Sequence, residues 1–421
     1  MARTDRRSFL KRAAEAAAAG AFPLGRLLPG PSPVSAAGPA DKVNCAVIGC
    51  GVRGAVHIAT AAAQNLVALV DADEKRLDVA RAHAKSKGAD PDRIRVFTDY
   101  RAMFDAMGKQ IDAVFIATPN HHHALPALIA MKLGKGVFCE KPLCHTIAEA
   151  RELSAAAAES RVATQMGNQG HCEEGYRRLC EYVWSGAIGD ITETHSWSDR
   201  ANGGVGPRPA PAPVPAGLHW DEWLGPAPHR DYHAGLHPHE WHGWHDFGNG
   251  SLGNMGCHVL DGVFWALKLG HPLRVEAERL YGGGDGRYPT GSRLRWDFPA
   301  RGPMPAVKVY WYDGRVGDGD PGDGNKGAPG TRGTPNIPPL LAELKRMHPD
   351  EKFEPNGTLY VGTKGVLSTG TYGGNMRVVP SKQMEEVAAP PKTLPRTAGV
   401  AADFLRAVRE GRSDTAAGFD Y

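Results

Sequence analysis

No apolar run in these 421 residues approaches the roughly 20 residues that a membrane-crossing helix requires. No membrane partner is therefore expected. An excess of charge of one sign is missing too. The 49 Lys and Arg against 46 Asp and Glu leave a net +3, which gives no reason to expect nucleic acid. Cysteine is sparse and odd in number: Cys45, Cys50, Cys139, Cys144, Cys172, Cys180 and Cys257. Seven scattered thiols argue against a disulfide framework or a zinc ribbon. Cys45 and Cys139 fall in apolar runs, where cysteine behaves as a small hydrophobe. What is plentiful is glycine (52) and proline (33), much of it after residue 200. The 42% hydrophobic and 23% charged content is that of a globular chain, long enough for two or three domains with full cores.

Residues 1–40 read as an address. Asp5-Arg6-Arg7-Ser8-Phe9-Leu10-Lys11 resembles a twin-arginine export signal, with a weakly apolar Ala-rich stretch over 13–28 and small residues at 34–37. Export to the periplasm or beyond is expected. That route carries folded proteins, so a cofactor could be bound before export.

Directly after the apolar run 43–48 stands Gly49-Cys50-Gly51-Val52-Arg53-Gly54, and Asp71 closes the next apolar run at 66–70. Glycines after a strand and before a helix, with a carboxylate about 20 residues on, form a dinucleotide-binding fingerprint. Gly49 allows the tight turn, Gly51 lets backbone N–H groups approach a pyrophosphate, and Gly54 lets helix and strand pack closely. The helix N-terminus, with Val52 and Arg53, supplies unsatisfied donors. Asp71 is placed to accept from a ribose 2′-hydroxyl and to repel a 2′-phosphate, which favours NAD over NADP.

From 43 to 167, short apolar runs at 43–48, 66–70, 95–98, 112–117, 136–139 and 162–167 alternate with helical patterns at 52–63, 74–87, 100–107, 121–133 and 148–159. This predicts a parallel sheet with right-handed crossovers, an N-terminal Rossmann-like domain over 41–168. Thr146 and Glu149 have the spacing of a capping box. After a helix at 173–185, strand-like runs at 191–197, 274–280, 293–298, 306–311, 358–361 and 365–368 predict a second α/β domain over 169–421. Its open sheet is expected to be mainly antiparallel. Residues 207–215 and 314–338 read as loops. An amphipathic helix is expected over 397–410, with Gly411 as its stop.

Thr118-Pro119-Asn120 and His123 follow the fourth strand and should face the cofactor cleft. Glu140-Lys141-Pro142 follows the fifth strand in the same layer. A buried lysine beside a nicotinamide has its pKa lowered, which suits it to proton transfer. The bland reading of Lys141 is a surface lysine paired with Glu140. Asn168 and Gln169 end the sixth strand and either line the cleft or satisfy a loop. The histidines at 229, 233, 237, 239, 242 and 245 have irregular spacing, so no metal site is expected. Trp220, Trp223, Trp241 and Trp244 could stack on sugar faces or pack a core.

These motifs, in this order with Gly256-Cys257-His258-Val259-Leu260-Asp261, resemble the glucose–fructose oxidoreductase and inositol dehydrogenase family (Gfo/Idh/MocA). The Trp220 to Pro226 and Trp244 to Gly248 segments resemble its exported, planctomycete-type branch. The resemblance covers about 43–421. It implies an NAD-dependent oxidoreductase acting on a secondary hydroxyl of a sugar, cyclitol or glycoside. Lys141 and His258 would be its catalytic pair, and Asn254 stands where the family places an aspartate. Glu140, with the glycine loop, Asp71, Thr118 to Asn120, His123 and Gln169, would serve the cofactor. The amide at 254 leaves other readings open: Asp261 or Asp246 could substitute, the protein could cleave a glycoside through transient oxidation by tightly held NAD, or it could bind a sugar or nucleotide without turnover. The family also implies a homo-oligomer, and one further helix beyond the point where this chain stops.

Overall fold

The computed structural model describes residues 42–316 and 334–420. The export motif lies outside the described residues. Six parallel strands come first: β1 (Asn44–Ile48), β2 (Asn65–Val70), β3 (Arg95–Phe97), β4 (Ala113–Ile116), β5 (Gly136–Cys139) and β6 (Thr164–Met166). They lie in the order β3-β2-β1-β4-β5-β6. Helices α1 (Val52–Ala62), α2 (Glu74–Ser86), α3 (Tyr100–Met107), α4 (Ala124–Lys132) and α5 (Ile147–Ser160) connect them. Both faces of the sheet are covered at its centre, which is why β1, β4 and β5 read as apolar runs. Cys45, Val47, Phe115 and Phe138 pack to one side, while Ile48, Ile116, Val137 and Cys139 pack to the other. The α5 capping box is present, with Thr146 Oγ1 accepting from Glu149 N at 3.2 Å and Glu149 Oε2 from Thr146 N at 2.8 Å. Strand order reverses between β1 and β4, so a crevice opens at their carboxyl ends, where ligands bind in such sheets.

The second sheet uses β7 (Ile191–Ser198), β8 (Arg274–Tyr281), β9 (Gly291–Phe298), β10 (Val307–Val316), β11 (Asn356–Gly362), β12 (Gly365–Gly370) and β13 (Arg377–Val379). Their order is β13-β12-β11-β7-β10-β9-β8. Every neighbouring pair in that order is antiparallel except β7 with β10. Helix α6 (Glu174–Trp184) and the turns after residue 252 cover one face through Tyr176, Leu179 and Val263.

Four features depart from the sequence reading. The strand β13 and a helix at Pro339–Met347 were not expected; the helix buries Leu341 and Leu344 against the sheet's other face. Within the expected loop at 314–338, residues 314–316 continue β10 and Thr334–Pro335 pairs with its end, while 336–338 are irregular. Helix α7 (Val400–Glu410), assigned to the second domain, packs instead on the first. Phe404, Leu405 and Val408 complete the core beside Phe115 and Phe138, and residues 415–419 bond along β6. Apolar periodicity shows that a helix has a buried face but not which sheet it meets. Gly411 ends α7 at φ 63°, as expected of a left-handed stop.

Candidate active site

The turn after β1 is built as its glycines require. Gly49 has φ +89°, and a Cβ there would meet the Ala117 carbonyl carbon at 2.6 Å. At Gly54 a Cβ would run into the Gly49 carbonyl. At Gly51 a Cβ would meet nothing within 4 Å, so this face of the loop is open. Helix α1 starts there without a side-chain cap, and Val52 on its first turn is 84% exposed. Asp71 ends β2 with Oδ2 accepting from Cys50 N at 2.7 Å and Oδ1 from Asp73 N at 3.0 Å. Its carboxylate is thus fixed beside the glycine loop, and burial pushes its pKa up against those two bonds.

Glu140 and Lys141 leave the end of β5. Glu140 is buried, and its Oε1 accepts from His57 Nε2 at 2.8 Å and from Arg53 Nε at 3.1 Å and Nη2 at 2.5 Å. Burial opposes its ionisation, but the His57 bond and the Arg53 guanidinium win and hold it at about 2. Arg53 and His57 are four apart and so share one face of α1. That spacing was a readable signal that the sequence reading passed over for His57. Lys141 is not a surface lysine and does not pair with Glu140. Its Nζ donates to Asn254 O at 2.7 Å and to Asn254 Oδ1 at 2.8 Å. Burial lowers its pKa; Cys257 and the Glu140 carboxylate oppose that, and the Arg53 and Arg200 charges add to it to a smaller degree.

Asn254 lies in a π-helical turn, Leu252–Gly256, just before Cys257–Val259, which carries His258. Such turns widen the helix by a residue and re-aim its side chains. The Asn254 Nδ2 donates to Asn202 Oδ1 at 2.9 Å, and Asn202 N donates to Ser251 Oγ at 2.6 Å. His258 is buried, and Tyr176 Oη holds its backbone by donating to the His258 carbonyl. Its Nδ1 has no hydrogen-bond partner among the described residues. Burial first, then the Lys141 charge, depresses its pKa well below the usual histidine value. Tyr372 places its ring edge-on to His258 at 4.8 Å, from a backbone held at φ 60°. A tyrosine in that left-handed region is uncommon, and such strain collects at functional sites.

The remaining expected residues divide. Thr118 Oγ1 is buried and unpartnered at the crevice end of β4, and Pro119 follows it. Gln169, with its amide turned so that both ends are satisfied, donates to Gly167 O and accepts from Arg53 Nη2. Asn120 spends its Nδ2 on Asn249 Oδ1 at 2.9 Å. His123 is a brace: Nδ1 faces Pro142 O at 2.7 Å and Nε2 faces Thr118 O at 2.8 Å, so both ring nitrogens are committed to protein. Neither candidate substitute for a carboxylate at 254 bonds to Lys141. Asp261 binds His171 Nδ1 at 2.9 Å, and Asp246 pairs with Arg230. Trp223 and Trp244 are buried core rather than sugar platforms, and Trp220 stacks on Trp223 at 4.7 Å. Among the described residues no three His, Cys, Asp or Glu side chains are grouped to hold a metal ion. His242 does reach the site. It is half-buried, stacked on Trp241 at a ring separation of 3.6 Å, and its pKa falls to about 3 through desolvation, with Lys141 among the smaller causes. Asn202, His242 and Tyr372 come from three distant loops, and no local pattern announces them.

The parts fit a dinucleotide: an open glycine face, an uncapped helix start, Asp71 beside the first turn, and the orphaned Thr118 Oγ1 at the next strand end. Fold and site together define a two-domain, nucleotide-binding oxidoreductase scaffold. Residues 43–168 match the family model described as "Oxidoreductase family, NAD-binding Rossmann fold", and 192–280 match its "C-terminal alpha/beta domain". The chain belongs to the Gfo/Idh/MocA oxidoreductase family. It is 35% identical over 160 residues to inositol 2-dehydrogenase 2 of Saccharopolyspora erythraea, a match covering 37% of this chain and 44% of that one. The matched region thus spans less than half the length of that curated relative. An inositol dehydrogenase homologue from Azotobacter vinelandii, solved with NADH and myo-inositol, has the same fold at a TM-score of 0.52 and 18% identity, covering 88% of this chain and 86% of that one. Levoglucosan dehydrogenase, solved with NADH and levoglucosan, has it at 0.51 and 19% identity, covering 90% and 92%.

Proposed function

We propose that the protein oxidises a secondary hydroxyl of a sugar, cyclitol or glycoside with NAD, and that Lys141 takes the hydroxyl proton. The observation that carries this reading is the Lys141 ammonium, drawn into the protein and, among the described residues, hydrogen-bonded to the two oxygens of Asn254. Burial among uncharged acceptors favours the neutral amine, and a neutral amine is a base. NAD, when bound, supplies the hydride acceptor. The glycine loop, the α1 N-terminus and Asp71 would hold its pyrophosphate and ribose. Thr118 and Gln169 line the reacting end. His258, kept neutral and braced by Tyr176 and Tyr372, would orient the substrate hydroxyl toward Lys141.

The test is a panel of cyclitols, hexoses and anhydrosugars, followed by NADH release, with Lys141→Ala beside the parent protein. Loss of about 10²–10⁴-fold in kcat with NAD affinity retained is expected. Cleaved glycoside at constant NAD redox state would instead favour the redox-neutral reaction. Binding without turnover, unchanged by Lys141→Ala, would favour a non-catalytic relative. The twin-arginine motif supports export of the folded, nucleotide-loaded chain as a member of the planctomycete-type branch, and the open second sheet supports a homo-oligomer. Cell fractionation and native mass spectrometry read these two.

A further inference from the structure

Arg208, Arg230 and Arg287 gather around one indole. Their guanidinium carbons stand 5.7, 5.1 and 4.8 Å from the centre of the Trp244 ring. The turn at Gly286 brings two of them together. A Cβ built there would come within 2.8 Å of Arg208 Nη2 and 3.8 Å of Arg230 Nη2. One carboxylate answers them: Asp246 Oδ2 accepts from Arg230 Nη2 and lies 3.9 Å from Arg208 Nη2. Arg287 gives its Nη1 to the Val205 carbonyl at 3.0 Å. Among the described residues no other carboxylate pairs with these arginines. Asp231 and Asp285, near two of them in the chain, are exposed. Two positive charges are left over.

The face of an indole attracts cations, which offsets part of this crowding. It does nothing for unused donors. The Arg230 side chain is 6% exposed, yet its Nη1 is buried without a hydrogen-bond partner. Arg287 Nε and the Trp244 indole N–H are buried and unpartnered too. Three side chains around one ring thus each hold back a donor. Burial lowers the Arg230 pKa although Asp246 opposes it, and Arg208 adds to the fall. Unsatisfied donors beside surplus guanidiniums are costly unless an anion joins them. Arg208 is 44% exposed, so the corner is open to solvent on that side.

We infer that this corner binds a phosphate dianion, free or carried as a monoester on a sugar. Charge selects the class. A carboxylate would leave one positive charge over, whereas a phosphate monoester carries roughly 1.5–2 negative charges near pH 7. Shape agrees, since a tetrahedral group presents oxygens in several directions and guanidiniums match it with paired bonds. The corner is separate from the groups that fit the dinucleotide, and it does not depend on the dehydrogenase reading. It stands next to the active site in the chain: a Cβ on Gly204 would run into the Arg287 guanidinium, and Asn202, two residues earlier, bonds the Asn254 that holds Lys141.

The experiment is calorimetry on the full chain saturated with NADH, so that the glycine loop is already occupied. The probes are inorganic phosphate, a hexose 6-phosphate and the free hexose, at constant ionic strength. One phosphate per chain with a Kd below about 1 mM is expected, with no such heat from chloride. Arg208→Gln and Arg287→Gln, nearer the open edge than Arg230, should each weaken binding at least about tenfold without lowering the melting temperature measured in phosphate-free buffer. Arg208→Lys should recover only part of the loss. A hexose phosphate bound about tenfold more tightly than inorganic phosphate would uphold the site and assign it to the ester. Equal affinity of the two would uphold it and assign it to the free ion. Silence of both phosphates, a hexose phosphate bound no better than its hexose, or phosphate binding unchanged in both Gln variants would overturn the inference.

Discussion

Lys141 Nζ donates to both oxygens of one asparagine, and that asparagine's Nδ2 is pinned by Asn202. An amide can orient an ammonium but adds no net charge, so burial is left free to depress the lysine pKa. If the neutral amine is the base, kcat/KM for oxidation rises with pH through an apparent pKa below the usual lysine value of about 10.4. Asn254→Asp places a carboxylate against the ammonium, favours the charged form, and should move that rising limb up by about one pH unit. A pH–rate profile reads the limb directly, and an unmoved limb would remove Lys141 as the titrating base. Asn202→Ala acts through Asn254: kcat should fall about three- to tenfold with KM little changed, because the Oδ1 is no longer aimed. Equal losses in binding and turnover would make Asn202 merely structural.

At the scale of elements, α7 is the informative one. Phe404 is fully buried, edge-on to Phe115 at 5.4 Å and to Phe138 at 5.7 Å. Phe404→Ala should cost the nucleotide domain about 3–5 kcal/mol, measured by chemical unfolding. A loss below about 1 kcal/mol would mean that α7 does not belong to that core. The central strands β1, β4 and β5 of the first domain were legible because both their faces are buried, which leaves apolar runs. The glycine loop, Asp71 and Lys141 were legible because close backbone approach and strand-end chemistry impose residue types locally. Helix α7 was placed in the wrong domain because its four-residue spacing of Val400, Phe404 and Val408 records a buried face without an address. Tyr372 and Asn202 were invisible for a related reason, since loops far apart in the chain bring them together.

Across the whole molecule, buried imidazoles set the response to acid. His121, His122, His123 and His258 lie buried and His242 half-buried, all with depressed pKa values, His122 at about 4 and His242 at about 3, desolvation being the leading cause in each. The unfolded chain binds protons at these positions from about pH 6.5 downward, whereas the folded chain does not until lower pH. Stability contributed by their neutral forms is therefore complete above about pH 6.5 and is lost as pH falls toward the folded pKa values. For His122 alone the loss at pH 5 is on the order of 2 kcal/mol. The melting temperature should drop by several degrees between pH 7 and pH 5, and a flat or rising profile would contradict this account. The packing of α7 has a consequence for biosynthesis as well. Phe404 seals a sheet whose strands all lie before residue 167, so a ribosome that has already extruded β1 to β6 still holds back the plug for their core. The lobe made first is thereby the lobe finished last.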